Sequence, residues 1–230
     1  MNKYSSMKTI ERANLTETQE DYLKQIFLIE EIRDAVPTQM LSERLGVKPA
    51  SVTGMLKKLT ELNLITHEPY RGVRLTEMGK KVALEIVRHH RLIELYLTEA
   101  LGYSWDEVHE EAEKLEHVIS ENFEARIAEY LGHPTHDPHG DPIPSVDLEL
   151  PPALDLVPLT EMESGDSGLV KRVRTQDKDE LNLLTILKIT LNSPIVVIEK
   201  EKNGMRVKIN DERYLIPLSL AGHLLVAPKK

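Results

Sequence analysis

No cysteine occurs anywhere in the chain. That absence excludes disulfides, thiolate zinc sites and thiol nucleophiles together, and it leaves the redox compartment open, a bacterial-type cytosol being consistent with it. Long apolar runs are missing too. No window approaches the roughly 18 apolar residues of a membrane span, and Met1 to Asn14 is polar and charged without the apolar stretch of an export signal. The expectation is a cytoplasmic protein with no membrane partner. There is no His-Glu-x-x-His pair and no Gly-rich phosphate loop, so a hydrolase lacks its usual motifs here. Positive charge is also short: a net charge of -9 argues against binding nucleic acid through the whole surface, although charge is a local matter when domains are separate. What remains is ordinary for a soluble globular chain, with 40% hydrophobic and 29% charged residues in a length of 230 that holds two or three small domains.

In chain order, Thr16 and Gln19 form a capping box opening a helix from about Glu17 to Ile32, with Tyr22, Ile26 and Ile29 on its buried face. Asp21 lies in its first turn, where a carboxylate also suits the helix dipole. A short helix from Pro37 is stopped by Gly46, and Pro49 starts another that runs to Leu59. Helix, tight turn, helix is a DNA-reading unit, although such pairs also occur for packing alone. Leu41, Leu45, Val52, Leu56 and Leu59 would hold the pair together, leaving Ala50, Ser51, Thr53 and Gly54 as a small polar face that can approach base edges. Two short strands around Tyr70-Arg71-Gly72 then read as a wing. From Lys48 to Lys81 seven cations (Lys48, Lys57, Lys58, Arg71, Arg74, Lys80, Lys81) stand against three glutamates, a local charge of +4. Such a patch inside an acidic protein suits phosphate contacts.

A longer helix from Thr76 turns apolar on more than one side from Leu92 onward, which implies burial in the fold or against a second subunit. It carries His89-His90-Arg91-Leu92-Ile93-Glu94, with His90 and Glu94 sharing a face. After Gly102 a further helix is expected from about Ser104 to Leu131. At roughly 100° per residue it sets His109, Glu113, Glu116 and His117 within an arc of about 100°, beside Val108, Ala112, Leu115 and Ile119. A salt-bridged surface helix is the plain alternative. Two donor-bearing helices in succession suggest one shared metal site.

Pro134, Pro138, Pro142, Pro144, Pro151 and Pro152 mark a linker; its His133, His136 and His139 lack the rigid frame a metal tract needs. Beyond it, Gly168–Val173, Pro194–Glu199, Met205–Ile209 and Leu224–Ala227 read as strands, with Asn203-Gly204 as a hairpin turn. Leu181 to Leu187 is a short helical piece, preceded by the loop carboxylates Asp177 and Glu180. The fold class expected is mainly α with a small, partly open C-terminal β-barrel.

Taken together, Glu20-Asp21-Tyr22-Leu23, Ser51-Val52-Thr53, Tyr70-Arg71-Gly72, His89-His90-Arg91-Leu92, Glu113-x-x-Glu116-His117 and Gly140-x-Pro142-Ile143-Pro144 resemble the DtxR/MntR family of metal-dependent repressors, over nearly the whole chain. The resemblance implies a winged-helix DNA-binding domain (1–82), a helical dimerisation and metal-binding domain with the Pro-rich linker (83–150) and a Src-homology-like, FeoA-like barrel (151–230). It implies a primary metal position from Asp21, Glu113, Glu116 and His117, and a second from His90, Glu94 and His109, with Asp177 and Glu180 reaching in from the barrel. DNA would be met by Lys48, Ala50, Ser51, Thr53, Lys57, Arg71 and Arg74. Iron-type members carry Met and Cys where this chain has Asp21 and Glu113. Oxygen donors suit manganese, so Mn(II) is the expected cofactor and Fe(II) the alternative. At Lys24 the chain departs from the compact manganese regulators, whose coupled two-metal arrangement uses a second carboxylate there.

The function implied is a metal-activated homodimeric repressor of metal-uptake genes on a pseudo-palindromic double-stranded operator. Two other readings stand beside it. Glu and His sets also serve metal-dependent hydrolysis, and a winged helix can answer to a small organic ligand. Loss of operator binding on chelation distinguishes the first from both.

Overall fold

The computed structural model describes residues 15–33, 35–68 and 72–229 and divides into two compact units. The first contains the chain to His89 together with Val146–Glu149; the second contains His90–Ser145 and Leu150 onward.

In the first unit, α1 (Glu17–Glu30) opens with the expected capping box: Gln19 N donates to Thr16 Oγ1 at 3.3 Å, and Thr16 N donates to Gln19 Oε1 at 2.9 Å. Helix α2 (Thr38–Leu45) ends at Gly46, whose left-handed φ of 64° a side chain would resist, and α3 (Pro49–Glu61) starts on a proline that has no N–H to leave unpaired. Leu23, Ile26, Leu41, Val52, Leu56 and Leu59 are buried in one cluster that fixes the angle of the helix pair. Strands β1 (Ile65–Glu68) and β2 (Gly72–Leu75) pair antiparallel as the wing, and Leu75 N donates to the half-buried Glu30 at 3.0 Å. Burial pushes the Glu30 carboxyl up.

Helix α4 (Glu77–Leu101) begins in the first unit and ends in the second. The expected single helix from Ser104 to Leu131 is a correction: α5 (Trp105–Leu115) stops at Glu116, a turn follows, and α6 (Glu121–Tyr130) starts afresh. The physical reason is Ser120. Its hydroxyl accepts from Phe123 N at 3.3 Å, so the cap competes with helix continuation. Ile93, Leu97, Val108 and Ala112 bury the seam between α4 and α5, while Leu92, Ile127, Ala128 and Ile143 form a second small core.

The C-terminal part is a six-stranded antiparallel sheet in the order β3-β8-β4-β5-β6-β7. Its strands are β3 (Val157–Pro158), β4 (Ser167–Val173), β5 (Pro194–Glu201), β6 (Gly204–Ile209), β7 (Glu212–Pro217) and β8 (Leu224–Pro228), with α7 (Lys178–Ile186) and α8 (Leu218–His223) between them. Two strands go beyond the sequence expectation. β3 has only two residues, and β7 lies at the sheet edge, following a turn in which Asn210 and Asp211 both take positive φ. Gly204 is not the turn residue expected but the first residue of β6, where a Cβ would meet Ile216 O at 2.4 Å. Trp105 of α5 packs against the barrel core of Leu159, Val170, Leu184, Val207 and Leu224.

Candidate metal centre and nucleic-acid interface

Residues His90 and Glu94 stand one turn apart on α4, and His109 and Glu113 one turn apart on α5. Packing of Ile93 and Leu97 against Val108 and Ala112 brings the two pairs together. His90 Nε2 lies 2.9 Å from Glu94 Oε1 and 3.1 Å from His109 Nδ1, which is itself 3.1 Å from Glu94 Oε1. Glu113 Oε1 is 3.6 Å from His109 Nε2 and 3.8 Å from His90 Nδ1. On its other side His90 Nδ1 bonds Glu116, which is fully buried, and His117 Nε2 lies 3.4 Å from the second Glu116 oxygen. Glu116 and His117 therefore sit in the turn after α5, not on the continuous helix face expected.

The donor set fits a divalent ion. Bonds of about 2.1–2.3 Å at right angles place neighbouring donors about 3 Å apart, and His90, His109 and Glu94 are already at that spacing. Glu94 is 1% exposed, and a buried carboxylate needs cationic or hydrogen-bonded partners. Burial alone would raise its pKa, yet His90, His109 and His139 hold it well below the usual carboxylate range.

His139 joins this donor group although its Pro-rich segment carries no helix or strand signal in the sequence. It is 1% exposed, with its ring 5.4 Å from that of Trp105 and its Nδ1 3.8 Å from Glu94 Oε2. The rigid frame thought missing comes from Asp137 and β4. Asp137 Oδ1 accepts from the N–H of His139 at 2.8 Å and of Asp141 at 2.9 Å, and Val173 N donates to His139 O at 2.8 Å. Gly140 (φ 85°) closes the turn so tightly that a Cβ would meet Lys171 O at 2.1 Å. Glu94, Asp137 and His139 thus form a second, wholly buried donor group beside His90, His109 and Glu113. Around it, Arg91 donates to Pro142 O and lies 3.9 Å from Asp137, and Arg172 pairs with Asp141. Burial, then the nearby Asp141 and Glu94, push the Asp137 carboxyl up to about 8.

The two barrel carboxylates are placed otherwise than expected. Helix α7 starts at Lys178, so Asp177 is its N-cap and accepts Glu180 N at 3.0 Å instead of lying free on a loop. Glu180 bonds His223 Nδ1 at 2.8 Å; burial raises its pKa, but bonds from Thr175, His223 and Ser219 outweigh that and lower it. The structure gathers neither with His90, Glu94 and His109. Asp21 is carried, partly buried, by α1 of the first unit.

On α3, Ala50, Ser51, Thr53 and Lys57 are exposed along one face while Val52, Leu56 and Leu59 are buried behind it, with Lys48 exposed at the N-cap. Thr53 Oγ1 is tied back to Pro49 O at 3.0 Å, and nothing lies within 4 Å of a Cβ built on Gly54, so this face is free to approach another surface closely. Arg74 is exposed on the wing strand β2. Tyr70 and Arg71 lie outside the described residues.

Three family models match in succession. They are "Iron dependent repressor, N-terminal DNA binding domain" over residues 14–73, "Iron dependent repressor, metal binding and dimerisation domain" over 76–145, and "FeoA domain" over 157–228. The chain is 31% identical over 219 residues to the iron-dependent repressor IdeR of Mycobacterium tuberculosis, covering 90% of this chain and 95% of that one. It belongs to the iron-dependent repressor family. Members of this three-domain DtxR/MntR family are metal-dependent DNA-binding transcriptional repressors. Among solved structures, a manganese-dependent transcriptional repressor in complex with manganese matches at a TM-score of 0.86 and 37% identity, over 92% of this chain and all of that one. The manganese regulator SloR matches at 0.76 and 29%, over 92% of this chain and 98% of that one. No helix among the described residues is long and apolar enough to cross a membrane.

Proposed function

We propose that this family member is a Mn(II)-responsive repressor, acting as a homodimer on a pseudo-palindromic operator upstream of metal-uptake genes. The observation that carries this reading is the cluster of Glu94, Glu113 and Glu116 about His90 and His109, an oxygen-rich set with no sulfur, in a chain without cysteine. Hard carboxylate donors with one or two imidazoles suit Mn(II), whose intrinsic affinity for softer donors is the weakest of the series. Relatives named for iron and for manganese both match, so Fe(II) is the second reading.

Within this reading His90, Glu94 and His109 hold one ion, with Glu113 beside them. Asp137 and His139 extend the same pocket. Glu116 and His117 serve a primary position together with Asp21 of the other unit, as the family resemblance implies. A bound ion would supply the positive charge that offsets the mutual repulsion of these carboxylates. An ion held by Asp21, Glu116 and His117 would favour the arrangement of the DNA-binding helix in which all three can bind it over the rest. Helix α3 presents Ser51 and Thr53 to base edges, while Lys48, Lys57, Arg71 and Arg74 meet phosphates. The exposed apolar side chains of Leu101, Val118, Phe123 and Tyr130 on the dimerisation segment supply the surface a second copy would cover.

The test begins with fragments of the source genome captured by the full-length protein in Mn(II) and released by chelator. Those fragments are then titrated with Mn(II), Fe(II), Co(II) and Zn(II) in turn under anaerobic conditions. Retention of pseudo-palindromic fragments at the lowest concentration of Mn(II) is the expected result. Capture that ignores the chelator would overturn the metal-responsive reading, and activation first by Fe(II) would leave the iron-type alternative.

A further inference from the structure

The chain enters the winged-helix unit twice. It leaves after His89, and Val146–Glu149 belong to that unit again before Leu150 returns to the other. Of these four residues only Leu148 is sheltered: Val146, Asp147 and Glu149 are exposed, while the Leu148 side chain packs against the cluster of Leu23, Ile26, Leu41 and Leu59. Its backbone is left-handed, at φ 62°. Glycine or asparagine is the usual occupant of that region, and a leucine kept there shows that its side-chain burial outweighs the backbone strain. Pro144 on one side and Pro151-Pro152 on the other stiffen the approaches. Strain and burial thus point to the same residue independently.

We propose that Val146–Glu149 is a clasp, with Leu148 as its pin, by which the Pro-rich connection holds the DNA-binding unit. That unit is then tethered at three points of the chain, His89–His90, Ser145–Val146 and Glu149–Leu150, instead of one. Three tethers leave fewer arrangements open to α3 in the free protein than one does. On the metal-responsive reading above, on which this consequence depends, an ion then has less to order and acts at a lower concentration.

Native-state hydrogen exchange of the full-length wild type tests the clasp without any variant or DNA. Amides of residues 146–149 are expected to open together with those of α1 and α3 as denaturant rises, and separately from those of β5 and β6. Opening together with β5 and β6 overturns the proposal. Leu148→Gly, which removes the pin and relaxes the backbone, should speed exchange at 146–149 at least about tenfold, with Leu148→Met as wild type. Unchanged exchange in Leu148→Gly likewise overturns it. In Mn(II) titrations on captured operator fragments, Leu148→Gly should raise the half-saturating concentration roughly fivefold or more. An unchanged midpoint removes the regulatory role. Absence of any metal dependence in the wild type would instead count against the repressor reading, with the exchange result still deciding the clasp.

Discussion

His90 Nε2 lies 3.1 Å from His109 Nδ1, although 19 residues separate the two in the chain. Two imidazole nitrogens at that distance both contact one oxygen of Glu94, so the three donors already surround a common point. Replacing Glu94 by Gln keeps the shape but removes the charge. Metal affinity should fall roughly tenfold or more, measured calorimetrically in the full-length protein. Wild-type affinity in Glu94→Gln would place the ion elsewhere.

Metal choice is expected to turn on Glu113, 3.8 Å from His90 Nδ1. Glu113→Cys exchanges a hard donor for a soft one on a half-exposed position, so folding is retained. The metal that activates operator binding should shift from Mn(II) toward Fe(II) or Co(II) in anaerobic assays. An unaltered order of metals would show that residue 113 does not set selectivity.

The buried donor group makes the metal-free protein sensitive to alkali. Asp137 is raised from 3.8 to about 8, chiefly by burial. Burial opposes protonation of His139, but the nearby carboxylates of Glu94, Asp137 and Asp141 outweigh it and raise its pKa above 6.5. Both folded values exceed the unfolded ones, so the protonated forms stabilise the fold. That contribution is complete below pH 3.8 for Asp137 and below 6.5 for His139, and is lost as pH rises through the folded values. With chelator present, the second unit should melt at a lower temperature at about pH 8 than at about pH 6. A Tm that climbs over this interval would contradict the assignment.

The turn that presents His139 depends on a missing side chain. Gly140→Ala puts a methyl 2.1 Å from Lys171 O at a φ of 85°, and the backbone must shift. A loss of about 1–3 kcal/mol in urea unfolding is expected, with weaker metal binding. Unchanged stability would mean that the turn tolerates a side chain at φ 85°.

DNA contacts separate into two kinds. Thr53→Ala on the exposed face of α3 should relax sequence preference by about 1–3 kcal/mol if the hydroxyl meets a base edge. Arg74→Ala on the wing should weaken all sequences alike and reduce the salt slope by about one. Equal salt slopes for Arg74→Ala and wild type would exclude a phosphate contact there.

Local chemistry is what made much of this protein legible before its fold was known. Thr16 with Gln19, Gly46, and Pro49 are signals read within one turn of chain, and they place α1, α2 and α3 without any distant partner. His90 with Glu94 and His109 with Glu113 each lie one helical turn apart, so each pair was visible as a pair. Tertiary structure alone decided which donors meet. Asp177 and Glu180 looked like loop ligands, but α7 starts early enough to use Asp177 as a cap, and His223, 43 residues away, engages Glu180. His139 sits in a Pro-rich run where only its local turn with Asp137, two residues back, lies within reach of sequence spacing. The rest of its frame, Trp105 and the backbone of Val173, comes from distant segments that local spacing cannot connect to it. β7 escaped notice for the same reason: an edge strand buries little, and its partner β6 is what makes it a strand. Short-range capping and periodicity are written in neighbouring residues, whereas a buried donor group exists only once packing brings separate segments within about 3 Å.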